Sequence, residues 1–148
     1  MPFVVIGGWA VISHGYVRTT RDIDLLVPDR TGVHRAVAGA MAELGARHRG
    51  RASAVAPTDT IPDQGWQLTT SLGDVDFLLE AVAPLDFVTV ERTSIAGSMR
   101  GVPFRFAGLE SLVAFKRLAN RPQDRADLAE LEAINGPLPI VPIPGLDT

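Results

Sequence analysis

A double glycine followed by two aspartates one residue apart constrains this chain more than any other feature. Residues 3–6 are apolar and end at Gly7-Gly8. Residues 9–14 read as a short helix, and a polar turn then leads to Asp22-Ile23-Asp24 and a second apolar run, 25–27. Side chains at i and i+2 of a strand share a face. Asp22 and Asp24 are therefore expected to project together, with Ile23 and Leu25 toward the core. Adjacent carboxylates repel unless a cation lies between them, and hard divalent ions with oxygen ligands are the natural occupants. An Asp-x-Asp pair alone is weak, because turns and strand ends are often acidic. The upstream glycines strengthen it. Gly-Gly between a strand and a helix lets backbone approach a phosphate, and a helix N-terminus offers unpaired N–H groups.

Composition narrows the class. At 148 residues the chain is the size of one domain, and 46% hydrophobic residues suffice for a core. It has no apolar run of about eighteen residues, so no membrane span is expected. No signal peptide is visible, and a cytoplasmic location is the simplest expectation. Without cysteine there is no disulfide, thiol nucleophile or thiolate metal site. A net charge of −3 argues against broad, non-specific nucleic-acid binding. Arg47, His48, Arg49 and Arg51 form a local basic patch. It reads first as a solvated loop and second as a grip for one RNA end.

Further strands are expected at 66–72, 75–79, 87–95 and 102–106, with a Gly73-Asp74 turn. Helices are expected at 33–44, with Gly45 as its cap, at 109–119 and at 122–134, where Pro122 suits a first helical position. Residues 50–65 read as a loop with room for one short strand. The tail from Gly136 carries four prolines and reads as extended. Residues 1–135 are expected to form the domain and 136–148 the tail. The fold class is α/β (α+β), a mixed sheet flanked by helices, two of them C-terminal.

Asp76 lies among Val75, Phe77 and Leu78, where a charge needs a partner, whereas Asp74 beside Gly73 suits turn chemistry. Asp76 is thus the candidate third carboxylate. Arg18 and Thr20 suit either phosphate contact or local capping, and Arg21 reads as solvated. Lys116 is the only lysine. From its helix alone it is a snorkelling surface residue. Asp124 and Asp127 share a helix face and suit either ion pairing or the helix dipole. His14 reads as a capping or packing residue rather than a base, His34 and His48 lack ligand spacing, and Trp9 reads as core.

These motifs together resemble the DNA polymerase β-type nucleotidyltransferase superfamily. The small bacterial AbiEii-type toxin–antitoxin nucleotidyltransferases are the nearest likeness. Three segments carry it: Gly7-Gly8 with Arg18-x-Thr20-x-Asp22-x-Asp24, then Asp74-Val75-Asp76, then the Lys116 helix with Arg121-x-x-Asp124-x-x-Asp127. The resemblance implies a minimal nucleotidyltransferase fold and transfer of a nucleoside monophosphate from a nucleoside triphosphate such as ATP to an acceptor hydroxyl. It implies Mg²⁺, or Mn²⁺, held by Asp22, Asp24 and Asp76, with Lys116 completing the catalytic set. Gly7, Gly8, Arg18, Thr20, Lys116 and Asp124 would bind the nucleotide. The implied acceptor is RNA, such as a tRNA 3′ end, or a protein hydroxyl. A cognate antitoxin or toxin partner is also implied, and the shortness of the chain points to a homodimer in which a second subunit completes the acceptor site. The family motif is often Gly-Ser, so a serine hydroxyl is missing at Gly8. Gly7-Gly8-Trp9 also resembles antibiotic nucleotidyltransferases acting on aminoglycosides or lincosamides, an alternative function. A degenerate, non-catalytic antitoxin or binding module is another.

Overall fold

The computed structural model describes residues 1–147. In chain order its elements are β1 (Val4–Ile6), α1 (Gly7–Ser13), β2 (Asp22–Val27), α2 (Thr31–Glu43), β3 (Arg47–His48) and β4 (Trp66–Thr70). There follow β5 (Gly73–Leu79), α3 (Phe87–Arg92), β6 (Ile95–Met99), β7 (Val102–Phe106), α4 (Leu109–Ala119) and α5 (Pro122–Asn135). The seven strands form one mixed sheet in the order β3-β4-β5-β2-β1-β7-β6. The β2–β5 and β1–β7 pairs are parallel and the others antiparallel.

The second half of β2 explains its central place. Leu25, Leu26 and Val27 are all buried, so both faces of the strand are covered there, as a central strand between packed layers requires. The first half carries the aspartates and is only partly buried. Phe77 on β5, Leu68 on β4, and Val33, Val37 and Met41 of α2 join the same apolar cluster. Helix α2 ends as expected at Gly45 (φ +65°). Ala46 N–H donates to the Met41 carbonyl at 2.9 Å, the 6→1 bond that closes a Schellman turn. The Asp124 carboxylate accepts the Arg121 N–H at 3.0 Å and so caps the start of α5, with Pro122 in the first turn.

Three expectations are corrected. The segment 87–95 is not a strand but helix α3 followed by the start of β6. The Asp86 carboxylate accepts the Thr89 N–H at 3.1 Å, and Phe87 and Val90, three apart, are both buried. Capping and a helical burial pattern outweigh the β-branched composition. Asp74 is not in a turn. The Thr70 hydroxyl donates to the Gly73 carbonyl at 2.8 Å and accepts the Leu72 N–H at 3.0 Å. This closes the hairpin one residue earlier and leaves Asp74 in the β5 ladder. The tail, expected to run extended, ends in a turn and buries Ile143 against Leu85 and Ala114. No helix of the described residues is long and apolar enough to cross a membrane.

Replacing Asp86 with Ala should remove the α3 cap and cost about 0.5–2 kcal/mol, read as a lower urea midpoint at unchanged slope. An unchanged midpoint would contradict the capping account.

Candidate active site

The parallel register of β2 and β5 places Asp22 opposite Asp74 and Asp24 opposite Asp76. Directly paired residues share a face, as do residues two apart. Four carboxylates therefore lie together on one face, where three were expected. Strand β1 brings the glycines to the same place, because Ile6 pairs with Asp24 and Gly7 follows immediately. Gly7 has φ +67°, and a Cβ there would collide with the Asp24 carboxylate. Gly8 is equally constrained. A Cβ on it would lie 2.6 Å from Thr20 Oγ1 and 3.3 Å from Arg18 Nη2. The hydroxyl beside this position thus comes from Thr20, and a serine at residue 8 would displace it.

The cationic side of the cleft is a buried ion-pair network. Lys116 is not a snorkelling surface residue. It is 5% exposed, and its Nζ lies 3.0 Å from Asp124 Oδ1 and 2.9 Å from Asp127 Oδ2. Arg18 makes a two-pronged pair with Asp127, Nε to Oδ1 at 2.8 Å and Nη2 to Oδ2 at 2.9 Å. Arg121 Nε donates to Asp124 Oδ2 at 2.7 Å, and Gln123 Nε2 donates to Asp127 Oδ1 at 2.8 Å. Lys116 Nζ donates to Asp124 Oδ1 and pairs with Asp127 by charge, so its three N–H donors are not all used. Gly7, Gly8, Arg18, Thr20, Lys116 and Asp124 all line a cleft of about 310 Å³ that also touches Asp22 and Asp24. That is the lower end of the size range for small-molecule sites. Asp76 borders it only through the carboxylate cluster.

Arg49 is the member that sequence reasoning missed. Its Nη2 donates to Asp76 Oδ1 at 2.8 Å, while Nη1 lies 3.8 Å from Asp22 Oδ2 and Nε 3.5 Å from Asp74 Oδ2. The basic patch was visible, but the direction of Arg49 depends on β3 and β4 folding back onto β5. Arg47 instead donates to the Ala52 carbonyl at 2.8 Å.

The charges perturb one another in opposite directions. Burial, then the Asp76 and Asp22 charges, push the Asp24 carboxyl up from 3.8 to about 6, with nearby Lys116 opposing. Burial also raises Asp76, against the hydrogen bond and charge of Arg49. Burial would raise Asp124 too, but hydrogen bonds from Arg121 and Lys116 outweigh it and hold the group at about 2. Asp127 is likewise lowered, because bonds from Arg18, Lys116 and Gln123 exceed the effect of burial.

A hard divalent cation fits this donor set. Asp22, Asp24 and Asp76 supply carboxylate oxygens on one face, and their mutual repulsion is what a cation would relieve. Among the described residues no group of three or more carboxylate or imidazole side chains is arranged to hold a metal ion. Arg49 lies among the carboxylates instead.

The remaining candidates are structural. His14 Nε2 bonds the Ala107 carbonyl at 2.7 Å and packs edge-on to Phe106. His34 uses both nitrogens, accepting the Ile61 N–H at 3.0 Å and bonding Asp29 at 2.7 Å. It lines a second depression of about 320 Å³. His48 packs edge-on to Trp66. Trp9, expected in the core, is exposed, because its neighbours Gly8 and Ala10 take the buried face of α1.

The fold that carries this site is nucleotidyltransferase-like. The chain is similar to ANT(2″)-Ia in its crystal structure with adenylyl-2″-tobramycin, at 18% identity and a TM-score of 0.56, covering 88% of this chain and 76% of that one. It is also similar to the solution structure of the antibiotic-resistance factor ANT(2″)-Ia, at 19% identity and a TM-score of 0.55, covering 89% and 74%. At this identity the likeness is one of fold. No family model and no curated protein matches the chain.

Two outcomes follow for the metal-free protein. Asp124, depressed to about 2, adds stability that is complete above pH 3.8 and is lost as pH falls toward 2. Asp24, raised to about 6, binds more protons folded than unfolded, so stability declines as pH rises from 3.8 to 6. Denaturation midpoints in a chelator should therefore peak near the lower end of that interval, and Asp24→Asn should shrink the upper decline to the part that the raised Asp76 carboxyl contributes. A decline of the same size in the variant would contradict the assignment. Gly7→Ala should cost about 1–3 kcal/mol through its positive φ, besides displacing Asp24. A midpoint equal to the parent's would contradict the geometry.

Proposed function

We propose that the protein is a metal-dependent nucleotidyltransferase that moves a nucleoside monophosphate from a nucleoside triphosphate to an acceptor hydroxyl. The observation that carries this reading is the register of β2 against β5. It puts Asp22, Asp24 and Asp76 on one face, beside the glycines and cations of one cleft.

In this reading Gly7 and Gly8 let the triphosphate approach the backbone at the start of α1. Thr20 supplies the hydroxyl that a serine would otherwise provide. Arg18, Arg121 and the remaining N–H of Lys116 offset phosphate charge, and Asp124 and Asp127 fix their positions. Asp22, Asp24 and Asp76 would hold Mg²⁺ or Mn²⁺, which when bound polarises the phosphates and screens the developing charge. Asp76, its carboxyl raised by burial, is the group to accept the acceptor's proton.

For the acceptor, a hydroxylated, cationic small molecule is favoured over RNA or a protein. In the basic patch that would grip RNA, Arg47 turns back to the Ala52 carbonyl at 2.8 Å. Asp74 adds a carboxylate beyond the metal set, and the chain is net acidic. The fold similarity to an enzyme seen with an adenylylated antibiotic points the same way. A toxin–antitoxin role gains no support from these observations.

The test is transfer of label from each α-labelled nucleoside triphosphate to an aminoglycoside, with total tRNA in parallel. The account expects labelled aminoglycoside, and a loss of at least about 100-fold in Asp24→Asn and Asp76→Asn with unchanged circular dichroism. Full transfer by either variant would remove that residue from the site. Label in tRNA alone would overturn the acceptor class.

A further inference from the structure

Arg49 stands on the side of the cluster away from the phosphate-binding residues and does nothing in the reaction as drawn. It follows β3, a two-residue strand at the edge of the sheet. Its guanidinium reaches over β4 to three of the four carboxylates. Only the Asp76 contact, at 2.8 Å, is a hydrogen bond. The Asp74 and Asp22 oxygens are 3.5 and 3.8 Å away, and Arg49 Nε is buried with no hydrogen-bond partner. Buried polar atoms in permanent structural pairs are normally satisfied. Nη2 also donates to the Leu68 carbonyl of β4 at 2.9 Å, so that nitrogen is fully engaged while Nε and Nη1 meet the carboxylates through charge alone.

We propose that Arg49 is a removable counter-cation that occupies the carboxylate cluster in the metal-free protein and must withdraw before a divalent ion can bind Asp22 and Asp76. The proposal rests on the metal-site reading given above. Charge balance, side-chain exposure and the local backbone support it. Without a cation, Asp22, Asp74 and Asp76 would face one another with their charges uncompensated. A guanidinium at these distances would also repel an incoming divalent ion strongly in this partly buried setting. The side chain retains 31% of its exposure, so a path to water is open. Its backbone N–H donates to the Gln67 carbonyl of β4 at 2.8 Å, and the chain then turns with positive φ at Gly50 and Ala52. Asp24 is the one member of the cluster with no cation within 4 Å among the described residues, which leaves it as the first point of capture for the ion.

The consequence is a competition. Divalent affinity is the intrinsic affinity reduced by the fraction of molecules in which Arg49 has withdrawn. The test is Mn²⁺ binding, followed by the electron paramagnetic resonance of free Mn²⁺, without nucleotide or acceptor. The proteins compared are the parent, Arg49→Gln, Asp24→Asn and the double variant. If Arg49 is withdrawn in about a tenth of molecules, Arg49→Gln should bind Mn²⁺ roughly tenfold more tightly. It should also melt at a lower temperature in chelator and gain more from Mn²⁺ than the parent does. Both variants carrying Asp24→Asn should lose binding. Equal or weaker binding by Arg49→Gln, still abolished by Asp24→Asn, would overturn the competitor role and leave the metal site standing. No Mn²⁺ binding by parent and Arg49→Gln alike would overturn the metal reading and this proposal with it. Should Arg49→Gln fail to fold, Arg49→Met, which keeps the apolar stem, carries the same comparison.

Discussion

The parallel pairing of β2 with β5 brings Asp22 beside Asp74 and Asp24 beside Asp76, and the rest of the site is arranged around the repulsion this creates. A one-residue slip would turn every carboxylate to the other face. Such a slip is blocked where Leu25, Leu26 and Val27 pack opposite Phe77, Leu78 and Leu79. The apolar half of each strand holds the register that the acidic half would oppose. Gly7 belongs to the same constraint. It lacks a side chain because the Asp24 carboxylate lies where one would be.

Two regions of charge result, and they behave differently. On the α4–α5 side, Lys116, Arg18 and Arg121 hold Asp124 and Asp127 in a buried network whose members are well hydrogen-bonded. Such a network is costly to break, and it makes a rigid wall for the cleft. On the β2–β5 side the carboxylates outnumber the cations, and Arg49 balances them through one hydrogen bond to Asp76 and two longer contacts, with Nε unpaired. A site that must exchange ligands requires charge that is incompletely satisfied at rest.

Much of this was legible in the sequence because it is local. The Gly7-Gly8 and Asp22-x-Asp24 segments are joined by one short helix and a turn. Lys116, Asp124 and Asp127 sit on consecutive helices, and Gly45 and Pro122 announce helix ends directly. Where pairing across the chain decides, the sequence was silent. Arg49 meets Asp76 27 residues away, and Arg18 meets Asp127 109 residues away. Asp74 was assigned to a turn because glycine and aspartate together favour one, yet the Thr70 hydroxyl closes the hairpin earlier. A strand is expected over 87–95, but the Asp86 cap and the spacing of Phe87 and Val90 make residues 87–92 a helix. Trp9 was placed in the core by its type, yet α1 is short and buries its small residues instead.

A crystal structure with Mn²⁺ and a non-hydrolysable nucleoside triphosphate tests the central claim most directly. The account predicts an anomalous peak bonded to carboxylate oxygens of Asp22 and Asp24, with phosphates against Gly7 and Gly8 and Arg49 withdrawn from Asp76. Nucleotide bound elsewhere, or a metal held by residues outside the β2–β5 ladder, would contradict it.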